Sequence, residues 1–492
     1  MNPLKKLFKQ TAIYGLATVI PRLLNVILVP VYTSAMKPEF YGELSVIFSW
    51  IAILNVLLAY GMETAFFRFF SKSDNKETVV STSLISILVS TVLFIGIGLL
   101  FQNSLAELLN INPKYIIYVL CILGLDALVI IPFAWLRANE KPMRYSAVKI
   151  LNVLINLGLT IFFLMALPKM ISSNSESIFE GLYRSDFQIS YILIATLCAS
   201  GIQLLFMVSL YLKSSYTFDK DQWKTMLKYA SPVLVAGVAY TINEVFGRIM
   251  LEDILTDLVS EEYAKSEVGK YAACIKLALF MNLFATAFRM GVEPFFFSHS
   301  DSENPQKTYA QITNYFVILG SVIMLGVVVF ADILKSIFIP NPEYWEAMNV
   351  VPLILLASFF LGIYHNLSVW YKVSDKTRFG AFISIIGAIL TIGINYIFIP
   401  KIGYMASAIA TLLAYGTMMV LSYYLGKSRY PVPYNFRKIL FYMGISILFS
   451  VIAFYGFNRS LYAGIPLLLI FLILVYKLEN DKLKRIFLKQ KS

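Results

Sequence analysis

Five cations stand inside long apolar stretches of this chain: Arg22, Lys149, Arg248, Lys276 and Arg289. A charge at mid-bilayer costs about 2.5–3.5 kcal/mol even on insertion scales, so such groups face a protein interior, a partner or a watery cavity. Positive charge is in surplus, because several of the acids nearby are placed to be paired internally. The chemistry this implies is the reception of an anionic group within the membrane. Helical spacing gathers polar neighbours around the cations. Thr18, Arg22 and Asn25 share a face, and Pro21 loosens the backbone beside the arginine. Lys149 shares a face with Asn152 and Asn156, and Arg248 shares one with Thr241 and Glu244. Asn282, Thr286, Arg289 and Glu293 make one stripe running into Pro294. Lys276 lies off that stripe, so a straight helix cannot aim both cations at one point.

Each cation also has a structural reading. Glu244–Arg248 and Arg289–Glu293 are i,i+4 pairs, and such pairs neutralise each other along a helix face. Substrate binding and internal pairing therefore both stand for these two arginines. Lys149 and Lys276 lie close enough to span ends to snorkel. Arg22 is the deepest and has no acid within one turn. Asp126 is a lone acid near mid-membrane, either a partner for one of these cations or a site for a coupling ion. Glu63 lies near a span end, with Arg68 as its nearest partner in sequence.

Positioning these residues requires membrane-spanning helices. The chain has 492 residues, 58% of them hydrophobic, with a mean hydropathy of +0.72. Soluble chains are nearer about 45–50% apolar, and one span needs about 20 apolar residues. The pattern predicts fourteen spans: 9–35, 41–68, 79–102, 113–136, 143–167, 188–212, 226–253, 268–296, 308–331, 346–370, 377–399, 402–425, 435–456 and 460–477. The net charge of +12 sits in short loops, which argues for topogenic charge and against nucleic acid. With the N-terminus in the cytoplasm, Lys and Arg favour the cytoplasmic loops by roughly three to one, placing both termini inside. The polar loop 168–187 and the acidic stretch near 252–267 then lie outside, and the basic tail from Lys477 to Lys491 lies inside. Lys149 and Arg289 fall toward the cytoplasm, Arg22 near the middle, and Arg248 and Lys276 toward the outside.

No enzyme chemistry is visible. The three cysteines fall in apolar helices without paired spacing, and the two histidines cannot make a His-based metal site. Gly426–Ser428 reads GKS, but Leu421 stands where a P-loop needs its first glycine, so ATP binding is not expected. The expectation is therefore no catalytic residue, no metal and no cofactor. A glycan polymerase or ligase, the rival from the enzyme class, needs a large external loop with catalytic side chains, and the first external loop is a few residues around Lys37 and Glu39.

The segment leading to FYGELSVIFSW at the head of the second span is echoed, six spans later, by the one leading to EVGKYAACIKL. A parallel six-span repeat implies two lobes about an axis along the membrane normal. The division expected is 1–213, 214–427, and 428–492 for the last two spans and the tail, giving an all-α polytopic membrane protein with two pseudo-symmetric six-helix lobes.

GLATVIPRLLNVILVPVYT, FYGELSVIFSWIAILNVLLAYGMETAFFRFF and VGKYAACIKLALFMNLFATAFRMGVEPFFF resemble the polysaccharide biosynthesis flippases of the multidrug/oligosaccharidyl-lipid/polysaccharide exporter superfamily. The resemblance implies two six-helix lobes around a cationic lumen. It implies export, by alternating access, of a polyprenyl-pyrophosphate-linked oligosaccharide for surface polysaccharide synthesis: O-antigen, capsule or exopolysaccharide. It implies a bacterial cytoplasmic membrane, with membrane lipids and polysaccharide polymerase machinery as partners. Related lipid II flippases carry an arginine in span 1 and a cation in span 8, which Arg22 and Lys276 match. The cations such flippases carry on span 2 are absent except Arg68, and spans 13 and 14 would flank the lipid tail. The alternative within the superfamily is a cation-coupled multidrug exporter, whose often cationic substrates call for an acidic lumen.

Overall fold

A computed structural model describes residues 3–173, 183–184, 186–298, 304–374 and 376–488, with side chains assigned from residue 19 to residue 480 except at 173, 293–295 and 297–298. Part of the polar loop expected at 168–187, the end of the basic tail and the Glu293 side chain therefore lie outside the described residues.

Apolar composition makes the described chain helical, and no strand occurs among the described residues. We number the long helices α1 (Pro3–Ala35), α2 (Pro38–Lys72), α3 (Lys76–Leu100), α4 (Pro113–Ala138), α5 (Pro142–Ser172), α6 (Gln188–Leu212), α7 (Lys220–Leu258), α8 (Glu261–Val292), α9 (Pro305–Val329), α10 (Pro342–Val373), α11 (Arg378–Ile402), α12 (Tyr404–Arg429), α13 (Phe436–Gly456) and α14 (Leu461–Asn480). Thirteen, α2 to α14, are long and apolar enough to cross a bilayer, and α1 adds the apolar run Val19–Ala35. Each of the fourteen expected spans lies on one of these helices, so the all-α polytopic reading holds.

Proline opens several of them at a position whose N–H has no helical partner, as at Pro38, Pro113, Pro142 and Pro342. Side-chain caps start others. Asp219 accepts from the backbone N–H groups of Asp221 and Gln222 at 3.0 and 2.9 Å, satisfying donors that a bilayer boundary would leave costly.

Packing repeats six helices on. α1 packs on α5, α5 on α6, α6 on α4, and α4 on α3 and α2; α7 packs on α11, α11 on α12, α12 on α10, and α10 on α9 and α8. α13 and α14 both lie against α9. The two sets of six meet where α2 contacts α7 and α8 and where α1 contacts α8.

The α2–α8 crossing is the tightest of these. A Cβ on Gly42 would lie 1.8 Å from the Lys265 carbonyl oxygen, and one on Gly269 would lie 1.9 Å from that of Pro38. Only residues without a side chain let the backbones approach so closely. Beside the crossing, Lys265 of α8 pairs with Glu43 of α2 at 3.5 Å. This face, which carries the α1–α2 and α7–α8 turns, is here called the distal face, and the one carrying the chain ends the basic face.

Candidate functional site

α1, α7, α8, α10 and α12 enclose a cavity of about 790 Å³. Arg22 and Asn25 reach it from α1, Tyr240, Glu244 and Arg248 from α7, and Lys276, Asn282, Thr286 and Arg289 from α8. α10 adds His365, Ser368, Tyr371 and Lys372, and α12 adds Thr411 and Tyr415. Arg22, Asn25, Glu244 and Lys276 are exposed although they lie deep in the bundle, because they open onto this space.

The cavity carries net positive charge. Among the described residues five cations line it, namely Arg22, Arg248, Lys276, Arg289 and Lys372, against one carboxylate, Glu244. Most of the rest of the polar lining is neutral: Asn, Ser, Thr and Tyr. Such a wall offers an anion donors for charge-assisted hydrogen bonds.

Local structure explains the aim of each cation. Arg22 follows a proline inside α1, and its Nη1 donates to Thr286 Oγ1 of α8 at 2.7 Å. Arg248 Nη1 donates to Ser45 Oγ of α2 at 3.1 Å. Glu244 shares its face, yet no Glu244–Arg248 contact within 4 Å occurs among the described residues. Arg248 is therefore hydrogen-bonded to a neutral hydroxyl, while Glu244 opens onto the cavity and interacts electrostatically with both Arg248 and Lys276. The expected Arg289–Glu293 pair falls on a side chain outside the described residues.

The two α8 cations line one cavity because α8 is not uniformly α-helical. Ile275–Ala278 is a 3-10 segment. In an ideal α-helix Lys276 and Arg289 would point roughly 140° apart. Two or three steps at about 120° instead of 100° reduce this to roughly 80–100°, and both line the same cavity.

Lys149 does not line this cavity. It lies among the first six helices, with its Nζ 4.3 Å from the centre of the Phe133 ring and in electrostatic contact with Asp126. Asp126 accepts from Ser200 Oγ at 2.8 Å. Glu63 pairs with Arg137 of α4 instead of its sequence neighbour Arg68, whose guanidinium stacks 4.3 Å over Tyr229.

Lys372 lies just past the expected span 346–370, yet it lines the cavity: His365, Ser368 and Lys372 make one stripe of α10, with the lysine at the basic-face end. From there Lys372 and Arg289, then Arg22, then Arg248 and Lys276 form a series of charges running toward the distal face.

The sequence model of the polysaccharide biosynthesis protein family matches residues 7–298, and that of the MatE family matches residues 248–397. No curated protein matches the sequence. Among solved structures, the lipid II flippase MurJ in an inward closed conformation superposes with a TM-score of 0.74 at 16% identity, covering 94% of this chain and 98% of that one. A multidrug resistance MATE family transporter of the MOP superfamily, in its inward-facing conformation, superposes at 0.66 with 14% identity, over 83% of this chain and 94% of that one. An outward-facing conformation of such a transporter gives 0.60 and 15%, over 87% and 96%. The matched structures are those of transporters and flippases, not of enzymes. This chain, a multi-pass integral membrane protein with the flippase and transporter fold of the MOP superfamily, belongs to the polysaccharide biosynthesis protein family.

Proposed function

We propose that the protein exports an anionic lipid-linked oligosaccharide, a polyprenyl pyrophosphate carrying a glycan, across a bacterial cytoplasmic membrane by alternating access. The observation that carries this reading is the cavity lined, among the described residues, by five cations and one carboxylate. A pyrophosphate cannot cross hydrocarbon unaided, because burying its charge without partners is prohibitive. A lumen with spare positive charge lowers that barrier, while the lipid tail stays in the bilayer. Arg22, Asn25, Arg248, Lys276 and Arg289 are the headgroup contacts in this reading, and Lys372 joins them. No bond is made or broken, so the work is carried by positioning and charge.

The lobes of this reading are residues 1–213 and 214–427, with 428–492 flanking the lipid tail. The repeated packing order of α1–α6 and α7–α12 supports that division. The basic loops support cytoplasmic termini, which would make the tight α2–α8 crossing an external closure.

The test is reconstitution. Purified protein in liposomes redistributes a polyprenyl-pyrophosphate-linked oligosaccharide between leaflets with its mass unchanged. A product with a new glycosidic bond, or no redistribution, overturns the reading. The MatE match over residues 248–397 favours one second reading, multidrug export. Movement of a lipophilic cation in the same liposomes, with the lipid-linked glycan left in place, would establish it.

A further inference from the structure

Two of the arginines that line the cavity hydrogen-bond across the boundary between the two sets of six helices. Arg22, on the first helix of the first set, donates from Nη1 to Thr286 Oγ1 on α8, the second helix of the other set, at 2.7 Å. Arg248, on the first helix of the second set, donates from Nη1 to Ser45 Oγ on α2, the second helix of the first set, at 3.1 Å. The arrangement is reciprocal, and so is the crossing beside it. A Cβ on Gly42 would meet the carbonyl of Lys265, four before Gly269, and one on Gly269 would meet that of Pro38, four before Gly42. An approximate two-fold axis therefore runs through the α2–α8 crossing, with an arginine bond on each side of it.

The two bonds differ in depth. Ser45 stands three positions after Gly42, about one turn inside the crossing, whereas Thr286 stands seventeen positions after Gly269, roughly 25 Å along α8. Both hydroxyl residues are buried, while Arg22 is open to the cavity and Arg248 half-buried. Two further bonds between the sets, from Tyr344 Oη to the Met36 carbonyl at 2.9 Å and from Lys265 to Glu43 at 3.5 Å, join residues that do not line the cavity. We infer that Thr286 and Ser45 are positioning residues: each holds a cavity arginine across the boundary while the cavity is empty, and a pyrophosphate releases both arginines and with them the two sets. The inference rests on the transport reading and supplies its trigger.

The physical argument is a competition. In each bond a charged donor meets a neutral acceptor. An arginine–phosphate bond carries charge on both partners and is frequently bidentate, with two N–H groups side by side. A grip by both Nη groups takes Nη1 from its hydroxyl. The hydroxyl left behind is shielded from water, so it lacks a partner until the helices shift, and that costs the closed arrangement. Binding thus removes two contacts that favour the closed crossing. The effect differs between the two arrangements, as a ligand-driven shift requires. The order follows from depth. An anion moving on from Lys372 and Arg289 meets Arg22 first and Arg248, next to the crossing, last. The crossing is released only when the cargo has reached it, which keeps an empty carrier shut.

The test reads the distal face directly. Full-length protein, with its three cysteines replaced by serine, carries spin labels at Lys37→Cys and Glu262→Cys, on the α1–α2 turn and at the start of α8. Their separation is measured by double electron–electron resonance in lipid nanodiscs. Without ligand the otherwise unaltered protein gives one short distance, and inorganic pyrophosphate adds a longer one. Ser45→Ala/Thr286→Val shows the longer distance with no ligand, and Thr286→Ser alone behaves as the parent. Calorimetry gives a second readout. The double variant binds pyrophosphate several-fold more tightly, because no bond has to be broken first, whereas general damage weakens binding. A ligand-free double variant with the parent's distance, or with weaker binding at equal abundance, overturns the inference. Should the double variant not accumulate, the parent with and without pyrophosphate still decides. Opening by a polyprenyl pyrophosphate and not by the free ion also overturns the inference, moving the trigger to the lipid. A parent that binds pyrophosphate without opening sinks the inference alone; one that binds none, free or on the lipid, removes the transport reading as well.

Discussion

Arg22 is bonded across the α1–α8 contact to Thr286 at 2.7 Å while its side chain stays open to the cavity. A neutral hydroxyl does not cancel its charge, so the guanidinium is available to an anion. Losing a hydrogen bond to a charged partner costs about 1.5–3 kcal/mol. Arg22→Ala should therefore lower export at least about tenfold with protein abundance in the membrane unchanged. Arg22→Lys should keep part of it, since the charge survives but the planar fork does not. Normal export by Arg22→Ala at normal abundance would remove this residue from the site. The two readings of Arg248 separate in the same assay. If Arg248→Ala is inactive and Glu244→Ala/Arg248→Ala is active, the arginine serves to balance its neighbour. If both are inactive, it serves the substrate, as its bond to Ser45 and the open carboxylate favour.

Helices that deviate from regularity place the chemistry. The 3-10 segment Ile275–Ala278 rotates Lys276 toward Arg289. Regularity elsewhere provides the seal. At the α2–α8 crossing, a leucine at position 42 would drive its Cβ into the Lys265 carbonyl, 1.8 Å away, and part the helices on the distal face. With Asn282→Cys as reporter in the cavity, adding Gly42→Leu should raise labelling by an impermeant thiol reagent from the distal face several-fold. Equal labelling at equal abundance would show that this crossing is not the closure.

For the molecule as a whole, the loop charges assign orientation. Ser260 precedes α8 on the distal face, and Ser428 lies at the end of α12 on the basic face; both are exposed. With the termini in the cytoplasm, a cysteine replacing Ser260 reacts with an impermeant thiol reagent on the outer side of the membrane, and one replacing Ser428 does not react until the membrane is opened. The reversed pattern would turn the molecule over. It would also make the α2–α8 crossing a cytoplasmic seal and reverse the order in which a substrate meets Lys372 and Arg248.

The number of helices was legible in the sequence because their cause is local. Each apolar run must satisfy its backbone within itself, and a helix does that without reference to the rest of the chain. The buried cations were legible for the same reason, since a charge in an apolar run is conspicuous wherever it points. Their grouping was not. Periodicity assigns a face only while the helix keeps one phase, and the 3-10 turn in α8 shifts that phase by tens of degrees. Lys149 stood on a polar stripe as clear as that of Arg248, yet α5 turns it toward Asp126 and away from the cavity. Lys372 looked like a loop charge, and α10 carries it to the mouth. Glu63 finds Arg137 and not Arg68 because α2 packs along α4. Which helices pack, and at what rotation, depends on contacts among residues hundreds of positions apart. That arrangement, not composition or spacing, decided which charges share a cavity.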